Sequence, residues 1–202
     1  CRNPGLAIPL IALQYHEVEL AIDFEDLANL QGAAGSVTGI SNVSVWVDYV
    51  FLDQDERRKF AQNPRDVLIE TVQHVEDTSN ASDTTVRLTF NHPVKELVWV
   101  GTTDDTTNKS QLVSMNALGA QLKLNGQDRF KRRNDQYFNV VQPYQHHTSV
   151  PTAGVNVYSF AIRPEEHQPT GTCNFSRIDN ADLLVRYPSG KPLDVYAHGY
   201  NI

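Results

Sequence analysis

Two places in the chain bring acid–base side chains together. His146 and His147 are adjacent, and Glu165-Glu166-His167 lies a short distance further on. Imidazole and carboxylate groups can hold a metal ion, move a proton or form ion pairs. A metal site of the cupin type needs two histidines one residue apart, a glutamate a few residues later and a distant third histidine, all converging on one ion. Adjacent histidines on a strand would face opposite sides, so His146 and His147 do not fit that pattern. Pro143 and Pro151 enclose them, and Pro164 and Pro169 bracket Glu165-Glu166-His167, which predicts rigid loops. A general base also needs a pocket and a positioned partner, and the sequence points to neither. Glu17, Glu19, Asp23 and Glu25 alternate with apolar residues and read as a solvated sheet face. There is no G-x-S-x-G elbow, no G-x-x-x-x-G-K-[ST] loop and no G-x-G-x-x-G fingerprint. The residues therefore predict no catalytic centre, no metal site and no cofactor.

Charge narrows the partners. The 202 residues carry a formal net charge of −7. Phosphate binding needs Lys and Arg in excess, so direct contact with nucleic acid is not expected. Lys131-Arg132-Arg133 is a tight basic cluster, and Asp128 and Asp135 flank it. It reads as a solvated loop or a subunit contact. Cys1 and Cys173 are the only cysteines, which argues against a disulfide framework and fits assembly in a reducing compartment. Cys173 reads as a small buried thiol. Sequons occur at Asn42, Asn80, Asn108 and Asn174. Asn80 and Asn108 fall in polar loops and are the candidate glycan carriers. No apolar run reaches the length of a transmembrane helix, and no signal peptide is evident. The chain opens on Cys-Arg and reads as part of a longer polypeptide.

The elements that position these residues are mostly strands. Alternation over His16–Glu25 sets Val18, Leu20, Ile22 and Phe24 against the acidic face. Val43–Leu52, rich in β-branched and aromatic residues, reads as a strand buried on both faces for part of its length. Asp53 caps a short helix running to Gln62, and Pro64 stops it. Further strands are expected at Val67–Glu76, Thr85–Phe90, Lys95–Gly101, Val155–Ile162, Ala181–Tyr187 and Leu193–Tyr200. A small hairpin with Asn125-Gly126 at its turn is a further expectation. Asn134–Val141 suggests one or two helical turns, and Gln142–Gly154 an extended loop. Trp46 and Trp99 lie in apolar strands and read as core. About eight strands with short connecting helices predict an all-β antiparallel sandwich or barrel in one domain, 1–202. Strand count alone does not choose the jelly roll among such folds.

Longer segments do choose. NPGLAIPLIALQYHEVEL (residues 3–20), VDYVFLDQDERRKFAQ (47–62), LIETVQ (68–73) and FNHPVKELVWV (90–100) resemble the major capsid proteins of nucleocytoplasmic large DNA viruses. YFNVVQPYQHHTSVP (137–151) and VYSFAIRPEEHQPTGTCNFSRIDNADL (157–183) continue the likeness, which is nearest to phycodnavirus-like members. The resemblance runs in order along nearly the whole chain and corresponds to the C-terminal part of those proteins. It implies an eight-stranded antiparallel jelly-roll sandwich, the second half of a double jelly roll. It further implies a homotrimer of pseudo-hexagonal outline. Capsomers would tile the outer shell of an icosahedral virion with minor capsid proteins, assembled in the host cytoplasm. The missing Met, first jelly roll and C-terminal tail fit an excerpt of such a protein.

On that reading the chain is structural and not an enzyme. The proline-rich loops 143–147 and 163–174 become candidate intersubunit or interdomain contacts, through Tyr144, His146, His147, Glu166 and His167. Some algal-virus members carry glycans outside the usual sequon, so Asn80 and Asn108 are weak markers. The rival readings are a carbohydrate-binding jelly-roll module, which needs an exposed aromatic platform, and a cupin-type enzyme, which the histidine spacing disfavours.

Overall fold

Period-two alternation produces a strand only where a neighbour completes the backbone pairing. The computed structural model describes residues 4–24, 39–63, 66–77, 83–102, 112–113, 119–186 and 193–201. The chain divides into two compact units, Cys1–Val67 and Leu68–Ile202.

In the first unit the predicted helix forms as α1 (Gln54–Gln62). The Asp53 side chain accepts the Glu56 N–H at 2.9 Å, and the Glu56 carboxylate accepts the Asp53 N–H in return. The strands expected at His16–Glu25 and Val43–Leu52 do not form over the described residues. Apart from half-buried Leu52, their described apolar side chains stay exposed, and Trp46, expected in a core, is 92% exposed. Alternation marks a face suited to burial, but among the described residues of this unit no strand pairs with either segment.

Among the described residues the second unit holds ten strands: β1 (Ile69–Asp77), β2 (Asp83–Arg87), β3 (Pro93–Thr102), β4 (Leu112–Val113), β5 (Ala120–Leu124), β6 (Gln127–Arg133), β7 (Val155–Ser159), β8 (Cys173–Asn174), β9 (Ala181–Arg186) and β10 (Leu193–Asn201). All pairings are antiparallel. One sheet runs β1-β10-β3, with β7, β4 and β8 sharing the far edge of β3; the other runs β2-β9-β5-β6. Eight of these strands have five residues or more. Numbered by themselves they pair first with eighth, second with seventh, third with sixth and fourth with fifth. That nesting is one long hairpin folded over on itself, and its two four-stranded layers make a jelly roll.

The core takes residues from both sheets: Leu97 and Trp99 of β3, Leu122 of β5, Leu183 and Val185 of β9, and Val195 of β10 are fully buried. The β5–β6 hairpin turns where the sequence predicts, with Asn125 and Gly126 both at positive φ (51° and 77°) as a two-residue turn requires. Strand β2 ends at Arg87, three residues before the predicted Phe90, yet Leu88 and Phe90 remain buried.

Between β6 and β7 the chain is helical for longer than expected. A wide π turn (Tyr137–Val141) runs directly into α2 (Gln142–His146), where the sequence suggested extended loop. Pro143 is accommodated because it lies in the first turn of α2, where a missing N–H is tolerated. Phe138 anchors this helical segment. It is fully buried, 5.0 Å from the Trp99 ring and 5.3 Å from Phe130.

One irregularity positions polar residues on the first sheet. β10 pairs with β3 residue by residue up to His198↔Glu96, then skips to Gly199↔Val94. Lys95 is the extra residue of a β-bulge. Val94 and Leu97 join the core, while Lys95 and Glu96, adjacent in sequence, both find polar partners. Gly199 allows the close approach, since a Cβ there would stand 2.4 Å from the Pro93 carbonyl oxygen.

Candidate functional site

The adjacent histidines part company at the end of α2. His146 closes the helix, and its Nδ1 donates to the Ile162 carbonyl at 3.0 Å. His147 turns extended (φ −116°, ψ 162°), so its ring points elsewhere. It enters a gap between β3 and the loop after β7. Its Nε2 stands 3.1 Å from Glu96 Oε2, and its Nδ1 3.3 Å from Glu165 Oε1. The contact with Glu96 is an ion pair more than an aligned hydrogen bond. Both atoms are buried and neither has a well-aligned partner.

From this point a charged network spreads over the outer face of the first sheet. Glu96 Oε1 accepts from His198 Nδ1 at 2.9 Å, and His198 Nε2 faces Glu70 Oε2 at 3.5 Å. Glu70 Oε1 accepts from Lys95 Nζ at 3.0 Å and lies 3.5 Å from His167 Nδ1. The Lys95 side chain is only 1% exposed, and its ammonium lies 5.1 Å from the centre of the Tyr200 ring. Strands β1, β3 and β10, the end of α2 and the loop after β7 each supply a charged or titratable group.

The network sets the protonation of its members. Burial by itself would push the Glu96 carboxyl up, but His147 and His198 outweigh it and hold it at about 2. For Glu70, burial is likewise outweighed by the hydrogen bond and charge of Lys95, and its carboxyl is lowered. The hydrogen-bonding approach of Glu96 raises the His147 imidazole above its ordinary 6.5, with burial opposing and Glu165 adding to the rise. Glu165 is lowered chiefly by the Thr148 backbone N–H, which donates to it at 3.1 Å.

Among the described residues no cluster is suited to a metal ion. The geometry gives the reason: both ring nitrogens of His198 face carboxylates, and the Lys95 ammonium occupies the space beside Glu70. A ring nitrogen that donates its hydrogen to a carboxylate offers no lone pair to a cation.

Glu166 pairs with exposed Arg163 at 2.9 Å, while its carbonyl accepts from Tyr200 Oη at 3.3 Å. Tyr144 is 81% exposed. Val140 and Val141 on the π turn and Ile162 beside His146 are exposed as well, which makes an apolar patch around α2. The basic run is engaged locally: Arg132 pairs with Asp83 at 3.0 Å, and Arg133 stacks over Tyr137 at 4.7 Å. Cys173 is half-buried, and burial raises its thiol. Asn80 and Asn108 lie outside the described residues. Asn42 adopts a positive φ of 59°, and the Asn174 side chain accepts the Ser176 N–H. Sequence reasoning missed Glu70, Lys95, Glu96 and His198. The signal was present in PVKELVWV, where two charges interrupt an apolar strand.

Residues 56–201 match the family described as large eukaryotic DNA virus major capsid protein, and residues 1–53 match a second, major capsid protein N-terminus. The chain belongs to this family of viral major capsid proteins. This capsid-protein chain is 46% identical over 233 aligned residues to the major capsid protein of Pyramimonas orientalis virus, covering 100% of the chain and 56% of that relative. It is 42% identical over 231 residues to that of Paramecium bursaria Chlorella virus 1, covering 92% of the chain and 52% of the relative. It spans about half the length of these curated relatives. A quasi-atomic model of the PBCV-1 virus capsid superposes with a TM-score of 0.79 at 36% identity, over 99% of this chain and 64% of that one. The Faustovirus major capsid protein, at 14% identity and a TM-score of 0.63, shares the fold. These findings agree with the resemblance read from the sequence. None of these matches points to a carbohydrate-binding module. Among the described residues no helix is long and apolar enough to cross a membrane.

Proposed function

We propose that this chain builds the outer shell of a large icosahedral DNA virus, as the second jelly roll of a longer two-jelly-roll capsid protein. The observation that carries this reading is the nested jelly-roll pairing of the second unit together with the superposition on a virus capsid over 99% of the chain. The single domain expected over 1–202 narrows in this reading to Leu68–Ile202. Residues 1–53, which match the N-terminal family, belong to the end of the first jelly roll. Their alternating apolar faces are suited to partner strands from that domain.

Three copies form a pseudo-hexagonal capsomer, and capsomers meet one another and minor capsid proteins in the shell. Assembly takes place in the host cytoplasm. The role is structural and not catalytic, and the genome is not bound directly. The exposed patch of Tyr144, Val140, Val141 and Ile162 is the contact surface we favour, because burying it removes apolar area from water. His146, His147, Glu166 and His167 shape that surface from within. Asn80 and Asn108, in polar stretches, are retained as the proposed glycan carriers.

Sedimentation of the full-length protein tests the assembly. Trimers are expected, and a monomer at every concentration overturns the reading. Tyr144→Ala tests the contact surface: the trimer fraction should fall, and an unchanged fraction removes this patch from the interface.

A further inference from the structure

The loop after β7 is held in place by polar contacts. Between Ile162 and Thr170 only Pro164 is buried. Arg163 N–H and the Thr170 hydroxyl close the loop on itself at 2.9 Å. Its ties to the rest of the unit are the Ile162 carbonyl to His146, Glu165 to His147 and Thr148, His167 to Glu70, and the Glu166 carbonyl to Tyr200. His147 is the central tie, since the same ring faces Glu165 on the loop and Glu96 on β3.

We propose that residues 162–170 form a proton-controlled latch, clamped to the outer face of the first sheet while His147 carries a proton between Glu96 and Glu165, and loosened when that proton leaves. This inference stands apart from the shell-building role, because it concerns contacts inside one unit.

The surroundings favour that role for His147. Glu70, Glu96 and Glu165 are set against the single ammonium of Lys95, so with neutral histidines these four groups are two charges negative. A proton on an imidazole offsets part of that excess. His198 on β10 and His167 on the loop also face these carboxylates, but each lies on one side of the gap. His147 alone touches both a loop carboxylate and a strand carboxylate. A neutral imidazole has one N–H and cannot donate to both.

The direction with pH follows from the two perturbed groups. His147 is raised above 6.5, so its contribution is complete below 6.5 and is lost as pH rises through the elevated value. Glu96 is lowered from 4.5 to about 2, so its contribution is complete above 4.5 and is lost as pH falls toward 2. The latch is tightest between 4.5 and 6.5. Alkaline conditions loosen it, and Ile162, at its root and beside α2, then shifts the edge of the exposed apolar patch.

Hydrogen exchange on the full chain, read by mass spectrometry at about pH 6 and about pH 9 and divided by the intrinsic rate at each pH, is the test. Peptides over 162–170 should lose protection several-fold at the higher pH, while peptides over β9 keep theirs. In His147→Gln the loop should be poorly protected at both pH values, with no step between them. A loop equally protected at both pH values in the unaltered chain overturns the proposal, as does a full step in His147→Gln. If His147→Gln loses protection in β9 as well, Glu165→Gln decides, since it alters the latch from the exposed side. A smaller step supports the latch, and an unchanged step overturns it.

Discussion

The outer faces of the two sheets bear the same kinds of side chain in very different settings. On the first sheet, α2 and the loop after β7 cover the charges, and Lys95 is almost wholly buried. On the second sheet the charges stand in solvent: Asp83 pairs with Arg132 at 3.0 Å and lies 3.5 Å from Arg186, and all three are substantially exposed. Water screens the second set and lets each member find other partners. Lys95, Glu96 and His147 on the first sheet are well covered and have little such alternative, so each of them depends on its neighbours. Similar pairings thus serve solubility on one face and fix the position of a covering segment on the other.

Glu70→Ala leaves the Lys95 ammonium buried without its carboxylate and should lower unfolding stability by about 3–5 kcal/mol in denaturant titration. A loss similar to that of an exposed pair would show that water reaches Lys95. Gly199→Ala attacks the bulge that presents Lys95 and Glu96. Its Cβ would meet the Pro93 carbonyl oxygen at 2.4 Å, and a loss of about 1–3 kcal/mol is expected by thermal unfolding. Asp83→Ala probes the exposed charges of the second sheet. It removes two exposed pairs from the second sheet and should cost no more than about 1 kcal/mol, less in high salt.

Much of the second unit was legible because its strands carry alternation and its turns carry Asn-Gly and proline signals. The hairpin at Asn125-Gly126 and the strands around Trp99 and Val195 rest on local chemistry alone. The strands expected at 16–25 and 43–52 rest on a neighbour, which a periodicity does not reveal. The same limit applied to the site. His147 and Glu165 were singled out as residue types, but their meeting depends on α2 continuing through Pro143 to His146. Glu96 and His198 stand 102 residues apart and are joined only by the sheet. Long separation hides such a pair, whereas the charges inside PVKELVWV needed only the question of what buries them.

The first-with-eighth pairing also governs when this unit can fold. Ile69 sits opposite Asn201 across β1 and β10, so the strand that begins the unit waits for the strand that ends it. Such non-local closure raises contact order and slows folding. On the ribosome, β1 emerges long before its partner, and its unpaired edge stays open until synthesis of the unit is nearly complete. Where many copies are made at once, such open edges stand side by side, which puts a premium on chaperone cover during synthesis.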